Sequence, residues 1–267
     1  MQMPSPPSAK WRVLIAFAFL FVFMIAASIG AWRLADLGRQ QEQAATREGL
    51  AALRDATDTS GIEDALRQHP QNKFLQLTAM ATRTADETNA AIEKLSDEIA
   101  PAGIPASINL GKAGRSDLDA LRRDLKAAEA NTAMLMPRYA TLLKAERDAV
   151  EKYALALRVE KDTVDGFLQS IDRRHAETMA LVAKMLPARA EYYRAYEKCA
   201  AILASEFGTY RVENGQFVFP FQLSANRYNA AAGAMAAAAA RLDELEQERK
   251  GLLKSQQERW TQFVNGK

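Results

Sequence analysis

The run from Val13 to Trp32, VLIAFAFLFVFMIAASIGAW, constrains this chain more than any other part of it. It is 20 residues long, carries no charge, and has Ser28 as its only polar side chain. A helix rises ~1.5 Å per residue, so the run covers about 30 Å, the thickness of a bilayer's hydrocarbon core. Trp11 and Trp32 bracket it at the depth where interfacial aromatics settle. Phe17, Phe19, Phe21 and Phe23 supply its bulk, and Lys10, Arg12 and Arg33 stand just outside, within reach of headgroups. The reading is a transmembrane helix over residues 11–33, preceded by a Pro/Ser-rich tail, residues 1–10, that is expected to be disordered.

A cleaved signal peptide is the competing reading. Ala26, Ala27, Ser28, Gly30 and Ala31 are small enough for a cleavage site near Ala31. The apolar core of a signal peptide is usually ~7–15 residues, shorter than this run and less aromatic. No Cys lies near residue 30 to serve as a lipoprotein processing site. An uncleaved anchor fits better. Lys10 and Arg12 on one flank face Arg33, Arg39 and Arg47 on the other, so the positive-inside balance does not decide orientation. A short N-terminal flank before a long hydrophilic domain favours the domain outside. In a Gram-negative bacterium that is a periplasmic domain held at the inner (cytoplasmic) membrane, with a cytosolic domain as the alternative.

Charge narrows the partners. Lys10, Arg12 and Arg33 account for three of the 35 basic residues, which leaves 32 against 33 acidic ones beyond the anchor. The domain is near neutral with its signs interspersed. Nucleic-acid binding needs a basic stripe, and none is visible. Cys199 is the only cysteine, so neither an intrachain disulfide nor a Cys-based zinc site is available. Its neighbours Tyr193, Tyr196, Ala200 and Leu203 make it a buried small residue rather than a reactive thiol.

Helical spacing of apolar residues dominates the rest. Leu34 to about Ala56 is polar and helix-prone, and residues 34–60 read as a stalk continuing the membrane helix. Ser60 with Glu63 forms a capping-box pattern, and His69-Pro70 ends that short helix. Asn72 to Ile99 resumes the helical pattern, and the Gly/Pro-rich stretch Ala100 to Arg115 is a loop. Ser116 with Asp119 opens the longest helical tract. Pro137 fits the first turn of a restarted helix or a kink, and Pro187 reads as a second restart. Gly166 is either a reversal or a residue inside one very long helix; a bundle needs reversals, which favours a turn or sharp kink there. The last helix runs from Ala225 to about Val264, capped by Ser224, and packs closely where nine of the eleven residues 230–240 are Ala.

One segment breaks from helix. In Tyr210 to Phe219, YRVENGQFVF, Asn214-Gly215 is the preferred pair for a type I′ hairpin turn. That turn sets Glu213 opposite Gln216, Val212 opposite Phe217 and Tyr210 opposite Phe219. Alternation then places Tyr210, Val212, Phe217 and Phe219 on one face. A lone hairpin is marginal in water, so this face should lie against helices. Tyr193, Tyr196, Tyr210, Phe217 and Phe219 are the candidate partner or pocket face, with a packing junction between hairpin and bundle as the plainer reading.

Leu186-Pro187-Ala188, the helix after it, Val212 through Pro220, and Ala225 through Tyr228-Asn229 resemble the C-terminal part of a family of uncharacterised bacterial envelope proteins, among them membrane-attached lipoproteins. The resemblance covers about 50 of 267 residues. It implies an envelope location and a helix–hairpin–helix arrangement, and supplies no activity. The lipidated Cys of those lipoproteins is missing here, and the anchor would take its place.

The search for chemistry returns little. His69 precedes a proline at a helix end, and His175 sits in DRRHAE, which reads as a charged, solvated helix face. Neither belongs to a metal-ligand spacing, and no phosphate-binding loop, dinucleotide fingerprint or nucleophile elbow is present. Pairs such as Asp162/Asp165 or Glu244/Glu248 are what any helix surface offers. No catalytic, cofactor-binding or metal residue is expected.

The expected fold is therefore all-α: one transmembrane helix, then an elongated, coiled-coil-like bundle over residues 61–267 with one small β-hairpin at about 209–220. The expected role is non-enzymatic, a structural or protein-interaction component of the bacterial cell envelope whose partners are the lipid bilayer and envelope proteins, with a homo-oligomer also open. A ligand-sensing extracytoplasmic bundle working with a separate signalling partner is the alternative. A hydrolase lacks any nucleophile–base pair to stand on.

Overall fold

Leu and Ala recur every third or fourth residue with Lys, Arg, Glu and Gln between them, and both the rhythm and the propensities favour helix. A computed structural model describes residues 37–54, 59–99 and 109–264. The elements are α1 (Leu37–Ala52), α2 (Thr59–Gln68), α3 (Lys73–Ile99), α4 (Arg115–Ala133), α5 (Leu135–Ala156), α6 (Lys161–Ser205), β1 (Arg211–Glu213), β2 (Gln216–Val218) and α7 (Gln222–Val264). The protein is thus mostly helical with one small antiparallel hairpin. The expected tail and membrane helix, residues 1–33, lie outside the described residues. Among the described residues no helix is long and apolar enough to cross a membrane.

The chain divides into two compact units. In the hairpin unit, residues 93–138 and 180–248, α4 lies antiparallel to α6. Arg122 Nε reaches Glu197 Oε1 at 3.1 Å and Arg194 Nε reaches Glu129 Oε1 at 2.8 Å. Leu118, Leu121, Leu125 and Ala128 of α4 are buried, as are Tyr192, Tyr196, Cys199 and Leu203 of α6. From α7 come Tyr228, Ala231, Met235, Ala238, Leu242 and Leu245. The alanine run therefore does supply buried positions, at Ala231 and Ala238.

The second unit contains the described residues up to Ile92, with 139–179 and 249–264. Leu77, Ala81 and Ala85 of α3 pack with Val150 and Ala154 of α5 and with Val164, Phe167, Leu168 and Ile171 of α6. A second cluster joins Leu53, Ile62, Ala65, Phe74, Leu75 and Ala79. Leu53, at the end of the segment expected as a stalk, is fully buried there.

Several local expectations are corrected. The Ser60/Glu63 box is displaced: α2 begins at Thr59, so Ser60 lies inside its first turn. At the start of α4 the cap position falls on Gly114, two residues before Ser116, and glycine has no side chain to complete a capping box. The Gly114 N–H donates to Asp117 Oδ2 at 2.9 Å, while Asp119 pairs with Arg122. Ser224 does not cap the last helix, which starts at Gln222; its hydroxyl donates to Glu206 Oε1 at 2.6 Å. Asn72 is a true cap, its Oδ1 accepting the Leu75 N–H at 3.1 Å. Pro137 sits in the first turn of α5, one of the two places expected for it, whereas Pro187 restarts nothing and lies inside α6. Ala183, whose carbonyl loses a donor to Pro187, is exposed like the proline itself, so water can satisfy it.

Gly166 is not a reversal either; it lies in the second turn of α6. The reversal is upstream, where α5 closes with a Schellman motif. The Val159 N–H reaches the Ala154 carbonyl at 3.2 Å and the Arg158 N–H reaches the Leu155 carbonyl at 3.0 Å. Arg158 takes the left-handed position, φ +53°, where glycine is usual. Its carbonyl accepts Lys73 Nζ at 3.1 Å.

Arg158→Gly should relieve this strain and raise stability by about 0.5 kcal/mol, the left-handed penalty of ~1 kcal/mol less glycine's entropy. Arg158→Val, β-branched at positive φ, should lower it by about 1 kcal/mol or more. Urea unfolding midpoints at constant slope check both.

Candidate functional site

The hairpin forms as its turn dictates. Asn214 and Gly215 have φ of +51° and +75°, the two positive values of a type I′ turn. Arg211 pairs with Val218, Val212 with Phe217 and Glu213 with Gln216. The aromatic face seats on one tyrosine of α7: Phe217 and Phe219 lie 5.2 Å and 5.3 Å, centroid to centroid, from Tyr228. Tyr210 lies edge-on to Phe217 at 5.3 Å and tilted to Phe219 at 5.8 Å. These separations fall in the range where ring quadrupoles attract. Val212, paired with Phe217 and so on the same face of the hairpin, is nonetheless exposed and meets the 109–112 turn. A Cβ on Gly111 would come within 3.2 Å of Val212 Cγ1, a tight contact that Val212 would have to yield to by a few tenths of an ångström.

Behind Tyr228 the interior is phenolic. Tyr192 lies edge-on to Tyr193 and tilted to Tyr196, each at 6.0 Å. Burial pushes Tyr196 up to about 12 and raises Tyr192 and Tyr228 further. Burial likewise pushes the Cys199 thiol up to about 12. A thiol so placed is neither nucleophile nor metal ligand near neutral pH, which fits the buried reading of Cys199.

Tyr193 and Tyr196 are each 5% exposed, so they face the interior. Tyr210, Phe217 and Phe219 are half-buried in the seat. The apolar side chains in the open are others. Of the seven large hydrophobics that stand exposed among the described residues, five fall between 207 and 223: Phe207, Val212, Val218, Phe221 and Leu223. Phe207 lies two residues beyond the end of α6 at Ser205 and so off its inward stripe. Phe221 and Leu223 flank the start of α7 and carried no periodic signal of their own.

The second chemically distinctive place is in the other unit, and spacing missed it. His175 is not on a solvated face; its side chain is 11% exposed. It sits beside Arg174, which donates to Glu146 of α5, itself 3% exposed. Arg147 Nε bonds Asp172 Oδ1 at 2.8 Å, and Glu177 takes Arg259 and Gln256 of α7. Burial lowers Arg174 to about 10, which leaves its guanidinium charged at neutral pH. Burial, and then Arg174, hold His175 down to about 3. His69 instead reaches Glu48 Oε1 from Nδ1 at 2.9 Å, in partial contact with solvent.

Among the described residues no group of three or more His, Cys, Asp or Glu is arranged to hold a metal. The anchor residues Trp11, Phe17, Phe19, Phe21, Phe23 and Trp32 lie outside the described residues. Comparison with protein-family models, with curated proteins and with solved structures gives no match.

Two measurements test the aromatic seat. Tyr228→Ala should cost about 3 kcal/mol of stability and strip exchange protection from the hairpin amides. Phe221→Ser and Leu223→Ser, in the open, should each change stability by less than about 0.5 kcal/mol. Cys199 in the folded chain should resist a thiol-specific reagent at pH 8, where only about one thiol in ten thousand is ionised, and react fully once the chain is unfolded.

Proposed function

We propose that this chain is a non-enzymatic, single-pass protein of the bacterial inner membrane, with its helical domain in the periplasm, acting as a structural or protein-interaction component of the cell envelope. The observation that carries this reading is the uncharged run Val13–Trp32, bracketed by Trp11 and Trp32 and flanked by basic residues. A chain with that run and a near-neutral helical domain behind it belongs at a bilayer rather than on nucleic acid. The resemblance of 186–229 to membrane-attached envelope proteins points the same way.

The interaction half of the reading draws support from the hairpin end. Apolar side chains gathered in the open mark association surfaces more often than isolated ones do, and Phe207, Val212, Val218, Phe221 and Leu223 lie within 17 residues of sequence. The elongated, coiled-coil-like form belongs to the same proposal. On α7 the buried residues from Tyr228 to Leu245 alternate steps of three and four, the spacing of a coiled-coil seam.

Phe21→Arg tests the anchor. A charge at the centre of a membrane helix costs about 3 kcal/mol on insertion scales, so the variant should shift from the membrane to the soluble fraction. A wild-type mature chain that begins near Ala31 and fractionates as soluble would overturn the reading.

A further inference from the structure

Arg174 and His175, consecutive on α6, converge on one carboxylate of α5. Arg174 Nη2 donates to Glu146 Oε1, and the same Nη2 lies 3.2 Å from His175 Nε2. His175 Nε2 stands 3.4 Å from Glu146 Oε1, a longer approach. A guanidinium N–H aimed at Nε2 needs a lone pair there, so the geometry selects the neutral imidazole with its proton on Nδ1. Adding a proton to Nε2 would set N–H against N–H and one cation against another, with both side chains about nine-tenths buried.

We propose that the Glu146–Arg174–His175 cluster is an acid-sensitive latch: a proton on His175 breaks its contact with Arg174 and lets α5 part from α6 within this unit. The inference stands apart from the membrane reading and does not depend on it. Charged groups act on His175 from both helices. Arg174 and Arg147 oppose the imidazolium, while Asp172, which is bonded to Arg147, and the Glu146 carboxylate 3.4 Å away favour it. Glu151 also holds Arg147, and Glu177, half a turn on, is taken by Arg259 and Gln256 of α7. The face of α3 packed in the neighbouring core is apolar, made of Leu77, Ala81 and Ala85.

The direction of the pH effect follows. His175 is held down to about 3 in the closed form against ~6.5 in an open chain. Its contribution to the closed form is complete above pH ~6.5 and is lost as the pH falls towards 3. Below ~6.5 each pH unit favours the open form about tenfold. Opening parts the seam of Val150, Ala154, Phe167 and Ile171, so the acid form presents apolar surface that the neutral form hides.

Hydrogen exchange on the full chain at pH 6.5 and 4.5, corrected for intrinsic amide chemistry, reads the opening of residues 143–150 and 171–178. Wild type should open about 100-fold more readily at pH 4.5. His175→Gln keeps an acceptor but takes no proton, and should respond at least tenfold less; His69→Gln should follow wild type. Equal responses in wild type and His175→Gln, or unchanged wild-type protection, would overturn the latch. Nitrogen-15 signals of the wild-type imidazoles give a second test that needs no variant. At pH 5 the folded chain should show His175 neutral, with Nδ1 protonated, and an imidazolium there sinks the proposal.

Discussion

Everything described in this chain hangs on an inward stripe that steps by three and four residues without losing phase. Along α6 the buried positions run Val164, Phe167, Ile171, Arg174, Thr178, Leu181, then Ala188, Tyr192, Ala195, Cys199 and Ile202, with half-buried Met185 keeping the count. Along α7 they run Tyr228, Ala231, Met235, Ala238, Leu242, Leu245, Arg249 and, one heptad on, Gln256. The stripe decides burial by position, and polarity does not exempt a residue. Arg174, Thr178, Arg249 and Gln256 are inside because they fall on the stripe.

That view gives the buried ion pair a physical meaning. On α5 the inward residues are Tyr139, Leu143, Glu146 and Val150, and Glu146 is in step with the apolar ones. Taking a carboxylate and a guanidinium out of water costs several kcal/mol per ion, and their attraction offsets this only where the geometry is good. Such a pair is weak evidence for net stability. It does penalise error. A slide of one heptad would set Arg174 against apolar neighbours and leave Glu146 unpaired, at a cost of about 3–5 kcal/mol. We read the pair as a device that fixes the register of α5 on α6, which leucines alone would leave loosely specified.

The sequence revealed the parts governed by local rules and hid those governed by position. The hairpin was legible because Asn214-Gly215 is among the few natural pairs that tolerate two consecutive positive φ values, and the register follows from the turn. Cys199 was legible because its neighbours at helical spacing are aromatic and aliphatic. The reversal at Arg158 was not, because arginine at positive φ leaves no composition signal, and Gly166 attracted a break that the packed stripe suppresses. Caps slipped by two or three residues, as at Ser116, where the cap position falls on Gly114, and at Ser224, where α7 already starts at Gln222. His175 was misplaced because DRRHAE was judged by its charge. Counted from Ile171, Arg174 falls on the stripe and carries its neighbour towards the interior.

These placements bear on where function can reside. The groups with chemical reach are held deep: Cys199 and the tyrosines around it by burial that keeps them protonated, His175 by burial and a neighbouring cation that keep it neutral. Glu146 is engaged by Arg174. A nucleophile or general base needs access to a substrate and a pKa near the working pH, and none of these side chains has both. The hairpin, by contrast, sets its aromatic inner face on Tyr228 and leaves Val212 and Val218 in the open, with Phe207, Phe221 and Leu223 at its base. Burial thus separates two kinds of side chain: these titratable groups are sealed, while five of the exposed large apolar ones fall between 207 and 223.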